Sequence, residues 1–418
     1  MAMNLLVAGG GSGGHLYPAL ALIEGLRAHL PIERVGYVGT RRGLEARVLP
    51  GESQIEFFPI HARGFARRLS WSNLRALLAL GGGLAESLML LRRFRPDLII
   101  GTGGYASFAP LACGIALGLP TVIHEPNARP GLVNRLLAPW AGLTTVAWSQ
   151  ATAALRPRRW ALTGTPLRRQ ISQAGPGQVT GLRLDPSRPL LLVIGGSHGA
   201  QVLNDQILHY ADYFSQMEVV LITGREGYRC ARRQLDVELK NIHLLAYADR
   251  MGPLLAVAQL VICRAGAVTL AELTALGKPA LLVPWPGAAG GHQEANARAL
   301  AGVGAARWIS EDELLPGPSL ARAATELLAD PARLAQMADA SARLGQPDAL
   351  DKVIREVERY LYEADHRSVS LHRHRRGRHE RAGPGAPRAR LPGQRFQPGG
   401  EPPGAGAAAL GHSGLLGP

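Results

Sequence analysis

The sequence predicts an α/β protein made of two doubly wound domains that face each other across a cleft. Short apolar runs alternate with helical patterns along the 418 residues, as in a parallel sheet covered by crossover helices. Two of those runs lead into similar glycine-rich turns, Gly9–Gly14 and Gly195–Ala200. Between Gly164 and Pro189 the alternation fails, and the chain carries Pro166, Gly175, Pro176, Gly177 and Pro186 instead, which reads as a linker. A chain of this length that is 46% hydrophobic is too long for one ordinary domain and long enough for two cores.

The first half has strand candidates at Asn4–Ala8, Arg34–Val38, Ile55–Phe58, Asp97–Gly101, Thr121–His124, Leu143–Ala147 and Trp160–Thr163. The second half has them at Pro189–Ile194, Glu218–Thr223, Ile242–Ala246, Gln259–Cys263, Ala280–Val283 and Ala306–Ile309. Several are unbroken apolar runs, the pattern of strands buried on both faces. The longest uncharged run, Leu98–His124, has the hydropathy of a membrane span. Its glycines and prolines favour a strand, loop, helix and strand. The expected organisation is a domain at 1–163, a linker at 164–188, a second domain at 189–349, a helix at 350–365 and a low-complexity basic tail at 366–418.

The formal charge of +14 is uneven. Residues 367–418 hold nine arginines and two glutamates, so half the excess lies in a segment of Arg, Gly, Pro and Ala that cannot build a core and reads as disordered. The remaining body is mildly basic, which suits an anionic ligand or membrane surface and gives no case for nucleic acid. Cys113, Cys230 and Cys263 stand far apart, with no CxxC pair, so neither a zinc site nor a disulfide framework is expected. The N-terminus runs into a strand without a basic leader, so no signal peptide is expected.

Gly9-x-Gly11-x-x-Gly14 follows the first strand, and the next helix is expected to begin near Pro18. Glycines at this spacing let a phosphate approach the backbone, and the free N–H groups of a helix start favour an anion. A dinucleotide enzyme would place an acidic residue at the end of the second strand, where this chain has Arg41 and Arg42. An NADP-binding oxidoreductase is therefore an alternative, but it leaves the second glycine turn unexplained. Further on, Cys263-Arg264-Ala265-Gly266 leads into a helix bearing Thr269 and Glu272. Their spacing suits either a capping box or a carboxylate that grips ribose hydroxyls.

The ordered set GGxSGGHxxPALA, GTGGY, HEPN, TGxPLR, GGSxGA, CRAGAxTxxE and HQxxNA resembles the MurG family of peptidoglycan N-acetylglucosaminyltransferases, in glycosyltransferase family 28. The resemblance covers about residues 4–362 and excludes the tail. Ser12, Pro126, Thr165 and His198 depart from the commonest family residues. The resemblance implies a GT-B fold of two Rossmann-like domains. It implies UDP-GlcNAc as donor, undecaprenyl-linked lipid I as acceptor, and another UDP-sugar transferase with a lipid acceptor as the alternative within the fold. Ser12, Gly13, Gly14, Asn127, Arg168, Ser197, Ala248, Ala267, Val268, Thr269, Leu270, Ala271, Glu272, His292 and Gln293 are the implied donor-binding residues. Gly103, Gly104, Tyr105 and His124 are implied on the acceptor side.

An inverting transfer needs a base for the attacking hydroxyl and a partner for the leaving diphosphate. His15 is the first candidate base and Glu125 the second. No Asp-x-Asp occurs, so helix starts and Arg168 are expected to carry the diphosphate charge, with no metal and no cofactor. The lipid acceptor implies peripheral attachment to the cytoplasmic face of a bacterial membrane and allows other cell-wall synthesis proteins as partners. Leucines recur at helical spacing in Phe65–Phe94, flanked by Arg63, Arg67, Arg68 and Arg75; the arginines form the expected membrane surface, and most of the leucines read as core of the first domain. Gly81–Gly83 are expected to interrupt that helix.

Overall fold

The computed structural model describes residues 2–64, 71–172, 174–175, 182–195, 200–235, 239–248, 250–314 and 317–379. For 71–75, 172, 365 and 367–379 it describes the backbone alone. Among these residues lie two wholly parallel sheets. The first holds β1 (Met3–Gly9), β2 (Ile32–Thr40), β3 (Glu56–Ile60), β4 (Leu98–Gly103), β5 (Thr121–Glu125), β6 (Leu143–Val146) and β7 (Trp160–Leu162), in the order β3-β2-β1-β4-β5-β6-β7. The second holds β8 (Leu190–Ile194), β9 (Glu218–Ile222), β10 (Ile242–Leu245), β11 (Leu260–Cys263), β12 (Ala280–Leu282) and β13 (Ala306–Trp308), in the order β10-β9-β8-β11-β12-β13. Every run assigned to a strand from the sequence forms one. Leu98–His124 supplies β4, a helix and β5, and no described helix is long and apolar enough to cross a membrane.

Both sheets are doubly wound. Strand order reverses between β1 and β4 in the first and between β8 and β11 in the second. At such a reversal the connections diverge to opposite faces and leave a crevice beyond the carboxyl ends of the two strands. The Gly9–Gly14 and Gly103–Tyr105 loops lie at the first crevice, and Gly195 and Arg264–Gly266 at the second. The central strands are covered on both faces: each residue of β4, β8 and β11 is buried.

The helix α1 (Gly13–His29) begins at Gly13, so Pro18 lies inside it and not at its first turn as expected. Its missing N–H leaves the Gly14 carbonyl without an intrahelical donor. After the short α2 (Glu45–Val48), α3 (Trp71–Phe94) runs unbroken through Gly81–Gly83, against expectation. Gly83 is required by packing, since a Cβ there would collide with the His61 carbonyl oxygen. The helices α3, α4 (Phe108–Ala116) and α5 (Leu132–Leu137) pack in succession beside the first sheet.

The C-terminal helix Ala349–His379 follows the second domain but packs on the first. Leu350, Val353, Ile354 and Val357 join the core of Leu5, Val7, Leu22 and Leu26. Gly25 admits it, since a Cβ there would lie 2.7 Å from Ile354 Cδ1. Arg159 on the first domain pairs with Glu363 at 2.6 Å. The helical backbone continues past the expected end at 365, through a stretch without proline. Residues 380–418, the rest of the tail read as disordered, lie outside the described residues.

Candidate active site

The first crevice is made by two loops pressed together. Gly9 pairs with Gly103, and the chain passes through Ser12, in extended conformation, into α1. Gly13 and Gly14 form its first turn, where N–H groups have no intrahelical acceptor. Gly103 and Gly104 have φ of +103° and +79°, conformations that favour glycine. A Cβ at Gly103 would lie 2.8 Å from the His15 ring, and one at Gly104 would strike the Gly10 carbonyl. Tyr105 follows, 45% exposed.

His15 is held from two sides by Thr102. Its Nδ1 lies 2.8 Å from the Thr102 carbonyl oxygen, and the Thr102 hydroxyl donates to the His15 carbonyl at 2.8 Å. A carbonyl can only accept, so Nδ1 carries the proton and the Nε2 lone pair is left for another partner. Burial pushes the imidazole pKa down. The bond to Thr102 opposes this, His292 adds to it, and Glu45 opposes it. His124, at the end of β5, is buried with Nδ1 3.0 Å from the Thr145 hydroxyl, and burial pushes its pKa down to about 3. It is therefore neutral, and its Nε2 has no partner among the described residues.

Glu125 is enclosed by hydrogen-bond donors. It is 1% exposed, and its two oxygens accept four hydrogen bonds. Oε1 takes the Asn127 N–H and side-chain amide, both at 3.0 Å. Oε2 takes the Gly131 N–H at 3.0 Å and the Asn134 amide at 2.9 Å. Burial raises its pKa and the four bonds lower it. A carboxyl group so engaged organises the loop after β5.

That loop meets the second domain at Asn296, which is fully buried on the helix His292–Gly302. Asn296 accepts the Ala128 N–H at 2.9 Å and donates to Asn127 Oδ1 and the Ala265 carbonyl, each at 3.2 Å. One side chain thus ties HEPN to the turn after β11. Both polar atoms of Asn127 are already engaged within the protein. The Tyr17 and Tyr247 hydroxyls, 3.4 Å apart, make a second crossing.

On the second domain, the helix Ala267–Ala275 starts after Gly266 without a side-chain cap. Thr269 is its third residue, so the capping-box reading fails. The Ala267, Val268 and Thr269 N–H groups belong to an open first turn. Ala267 and Leu270 bury their side chains, whereas Val268, Thr269, Ala271 and Glu272 keep partial exposure. The Glu272 carboxyl has no hydrogen-bond partner among the described residues, and burial pushes its pKa up to about 7. His292 Nδ1 donates to the Ala289 carbonyl at 2.5 Å, which frees Nε2. The Gln293 side-chain oxygen accepts the Trp285 N–H at 2.9 Å. Ala248 packs on the second domain's core. Arg168 reaches Glu52 at 3.5 Å and lies near enough to Tyr17 for its charge to be felt there. Arg264 is taken up by Glu311 at 2.6 Å. Ser197 lies outside the described residues.

Of the expected membrane surface, Arg63 is exposed, Arg67 and Arg68 lie outside the described residues, and Arg75 is described by its backbone alone. On α3, Leu77 and Leu78 are exposed while Leu91 is buried. A second apolar strip was not anticipated. Leu132, Leu136 and Trp140, four residues apart, are each more than half exposed, and the Arg158 guanidinium stacks 5.2 Å from the Trp140 ring. Thr102, Asn134 and Glu45 also escaped the sequence reading, as did the bridging role of Asn296. Thr102 and Asn296 lie inside motifs already singled out. Glu45 is a lone glutamate with no local signal.

A family model described as the glycosyltransferase family 28 N-terminal domain matches residues 5–145, and one for the family 28 C-terminal domain matches residues 190–353. Over 373 residues the chain is 43% identical to a Desulforudis audaxviator protein, covering 85% of this chain and 98% of that one. It is 38% identical over 358 residues to an Oenococcus oeni protein, covering 84% and 95%. Both are named UDP-N-acetylglucosamine–N-acetylmuramyl-(pentapeptide) pyrophosphoryl-undecaprenol N-acetylglucosamine transferase. The crystal structure of Acinetobacter baumannii MurG superimposes with a TM-score of 0.66 at 25% identity, over 85% of this chain and 99% of that one. The two doubly wound sheets, the motifs at their crevices and these matches together establish that the chain belongs to glycosyltransferase family 28, in its MurG group.

Proposed function

We propose that this protein transfers GlcNAc from UDP-GlcNAc to the C4 hydroxyl of MurNAc in undecaprenyl-pyrophosphoryl-MurNAc-pentapeptide, converting lipid I into lipid II. The observation that carries the reading is His15. Its Nδ1 proton is fixed on the Thr102 carbonyl, and its ring lies where the two glycine loops of the first domain meet. Nε2 takes the proton from the C4 hydroxyl as that oxygen attacks the anomeric carbon of GlcNAc. The bond from that carbon to the β-phosphate oxygen breaks, its electron pair leaves with UDP, and the configuration inverts.

In this reading the first domain takes the acceptor at Gly103, Gly104, Tyr105 and His124, while Ser12, Gly13 and Gly14 meet the donor from the same crevice. The second takes the donor at the helix start Ala267–Thr269, with Glu272 on the ribose and His292 and Gln293 beside the sugar. Arg168 and the helix start stabilise the departing diphosphate. Asn127 acts from the first domain with its orientation set by Glu125 and Asn296. The enzyme attaches peripherally through the exposed Leu77 and Leu78 on α3 and Leu132, Leu136 and Trp140 on and beside α5, with the Arg158 guanidinium stacked on Trp140.

The test is transfer of labelled GlcNAc from UDP-GlcNAc to a lipid I analogue, by the full chain and by a chain ending at His366. Transfer by both is expected. His15→Ala should lower kcat at least ~100-fold with KM for UDP-GlcNAc little changed, and Glu272→Ala should raise that KM. Loss of UDP binding in His15→Ala with kcat preserved would overturn the assignment.

A further inference from the structure

The first loop has the glycine spacing of a phosphate cradle, but a carboxylate of this chain already lies against it. Glu45, the first residue of α2, is 0% exposed. Its Oε1 accepts the N–H and the hydroxyl of Thr40, each at 2.7 Å, and its Oε2 accepts the Gly11 N–H at 3.1 Å. Nearby glycines give it room. A Cβ on Gly10 would lie 2.6 Å from Oε1, one on Gly39 2.5 Å from Cγ, and one on Gly43 would overlap the carboxyl group. None of these three has a left-handed φ, so glycine supplies space here and not backbone freedom. Among the described residues no Lys or Arg pairs with Glu45. Dipoles alone hold this carboxyl group, in surroundings that screen charge weakly.

Two neighbours feel that charge. The Tyr37 hydroxyl, buried without a partner among the described residues, is one. The other is His15, which also faces His292 from the second domain and His124 from β5. His124 is neutral; His292 disfavours a positive charge on His15, and Glu45 favours it.

We propose that Glu45 is a positioning residue for the transfer. It takes the anion's place in the glycine loop, fixes the turn from which His15 projects, and compensates the imidazolium formed when His15 accepts the C4 hydroxyl proton. This rests on His15 being the base. It also explains why the GxGxxG match does not make a dinucleotide site: the Gly11 N–H is already occupied, and a phosphate there would meet a negative charge.

The experiment is the pH dependence of kcat/KM for the lipid acceptor in wild type, His15→Gln, Glu45→Gln and Gly43→Ala. Glu45→Gln removes the charge, and Gly43→Ala pushes a methyl group into the carboxyl site without altering the carboxylate itself. In wild type, activity should rise with pH as His15 loses its proton, and His15→Gln should abolish that limb. Without the Glu45 charge the imidazolium is less favoured, so the limb should move to lower pH and kcat should fall about tenfold or more. Donor KM should stay within about twofold. A merely structural role would lower Tm and leave the limb in place. If Glu45→Gln and Gly43→Ala fold and leave the limb and kcat unchanged, the proposal for Glu45 fails while the base assignment stands. If His15→Gln retains the limb, both fail.

Discussion

At Glu272, burial moves the carboxyl from its ordinary pKa of 4.5 to about 7, and this has two opposite consequences. In the donor-free protein the raised pKa means the folded state binds the proton more tightly than the unfolded chain. Stability from this group is present below the unfolded pKa and is lost as pH rises toward 7. Glu272→Gln should therefore raise Tm near pH 8 and leave it unchanged near pH 4. Ribose hydroxyls donate best to an ionised carboxylate, so KM for UDP-GlcNAc should fall from about pH 6 to about pH 8, and Glu272→Gln should flatten that slope. The residue itself was readable from CRAGAxTxxE. Its burial, and its freedom from the cap that its spacing allowed, were not, because a cap depends on where the helix starts. That start is Gly266, three residues before Thr269. Glu125 shows the same limit from the other side. Its motif marked it as chemically significant, while only the packed loop shows four donors converging on it.

At the scale of elements, the C-terminal helix has the widest reach. It ends the second domain in sequence but completes the core of the first, with Ile354 fully buried among α1 and β1 side chains. Ile354→Ala should destabilise the protein by about 2–5 kcal/mol, read as a lower midpoint in urea unfolding. The same variant should affect the acceptor-side loops first, because they hang on β1 and α1. The strands were legible because buried parallel strands are nearly continuous apolar runs. The helix start at Gly13 and the unbroken α3 were missed because local rules weigh proline and glycine as punctuation. Here packing overrides them: Gly83 lies beneath the His61 carbonyl, and Gly25 beneath Ile354.

For the whole molecule, the +14 charge divides between the body up to residue 366 and the segment 367–418. Among the described residues, the body bears exposed apolar side chains on and beside α3 and α5. Binding to anionic lipid vesicles should therefore weaken from about 0.15 M to about 0.5 M salt, as screening removes the arginine contribution. Replacing Leu132, Leu136 and Trp140 with serine should lower vesicle binding while leaving turnover of a water-soluble acceptor analogue intact. Unchanged vesicle binding in that variant would remove α5 from the membrane surface.

Periodicity and motif order were enough to read the two parallel sheets, the two glycine crevices and the family, because each depends on residues close together in the chain. The partners of those residues come from elsewhere. Thr102 sets the tautomer of His15, Glu45 fills the loop that a phosphate was expected to occupy, and Asn296 joins HEPN to the turn after β11. Such contacts span tens to hundreds of residues, and no local pattern encodes them. They arise only when the reversals in strand order bring distant loops to the same crevice, where buried polar groups must find partners in one another.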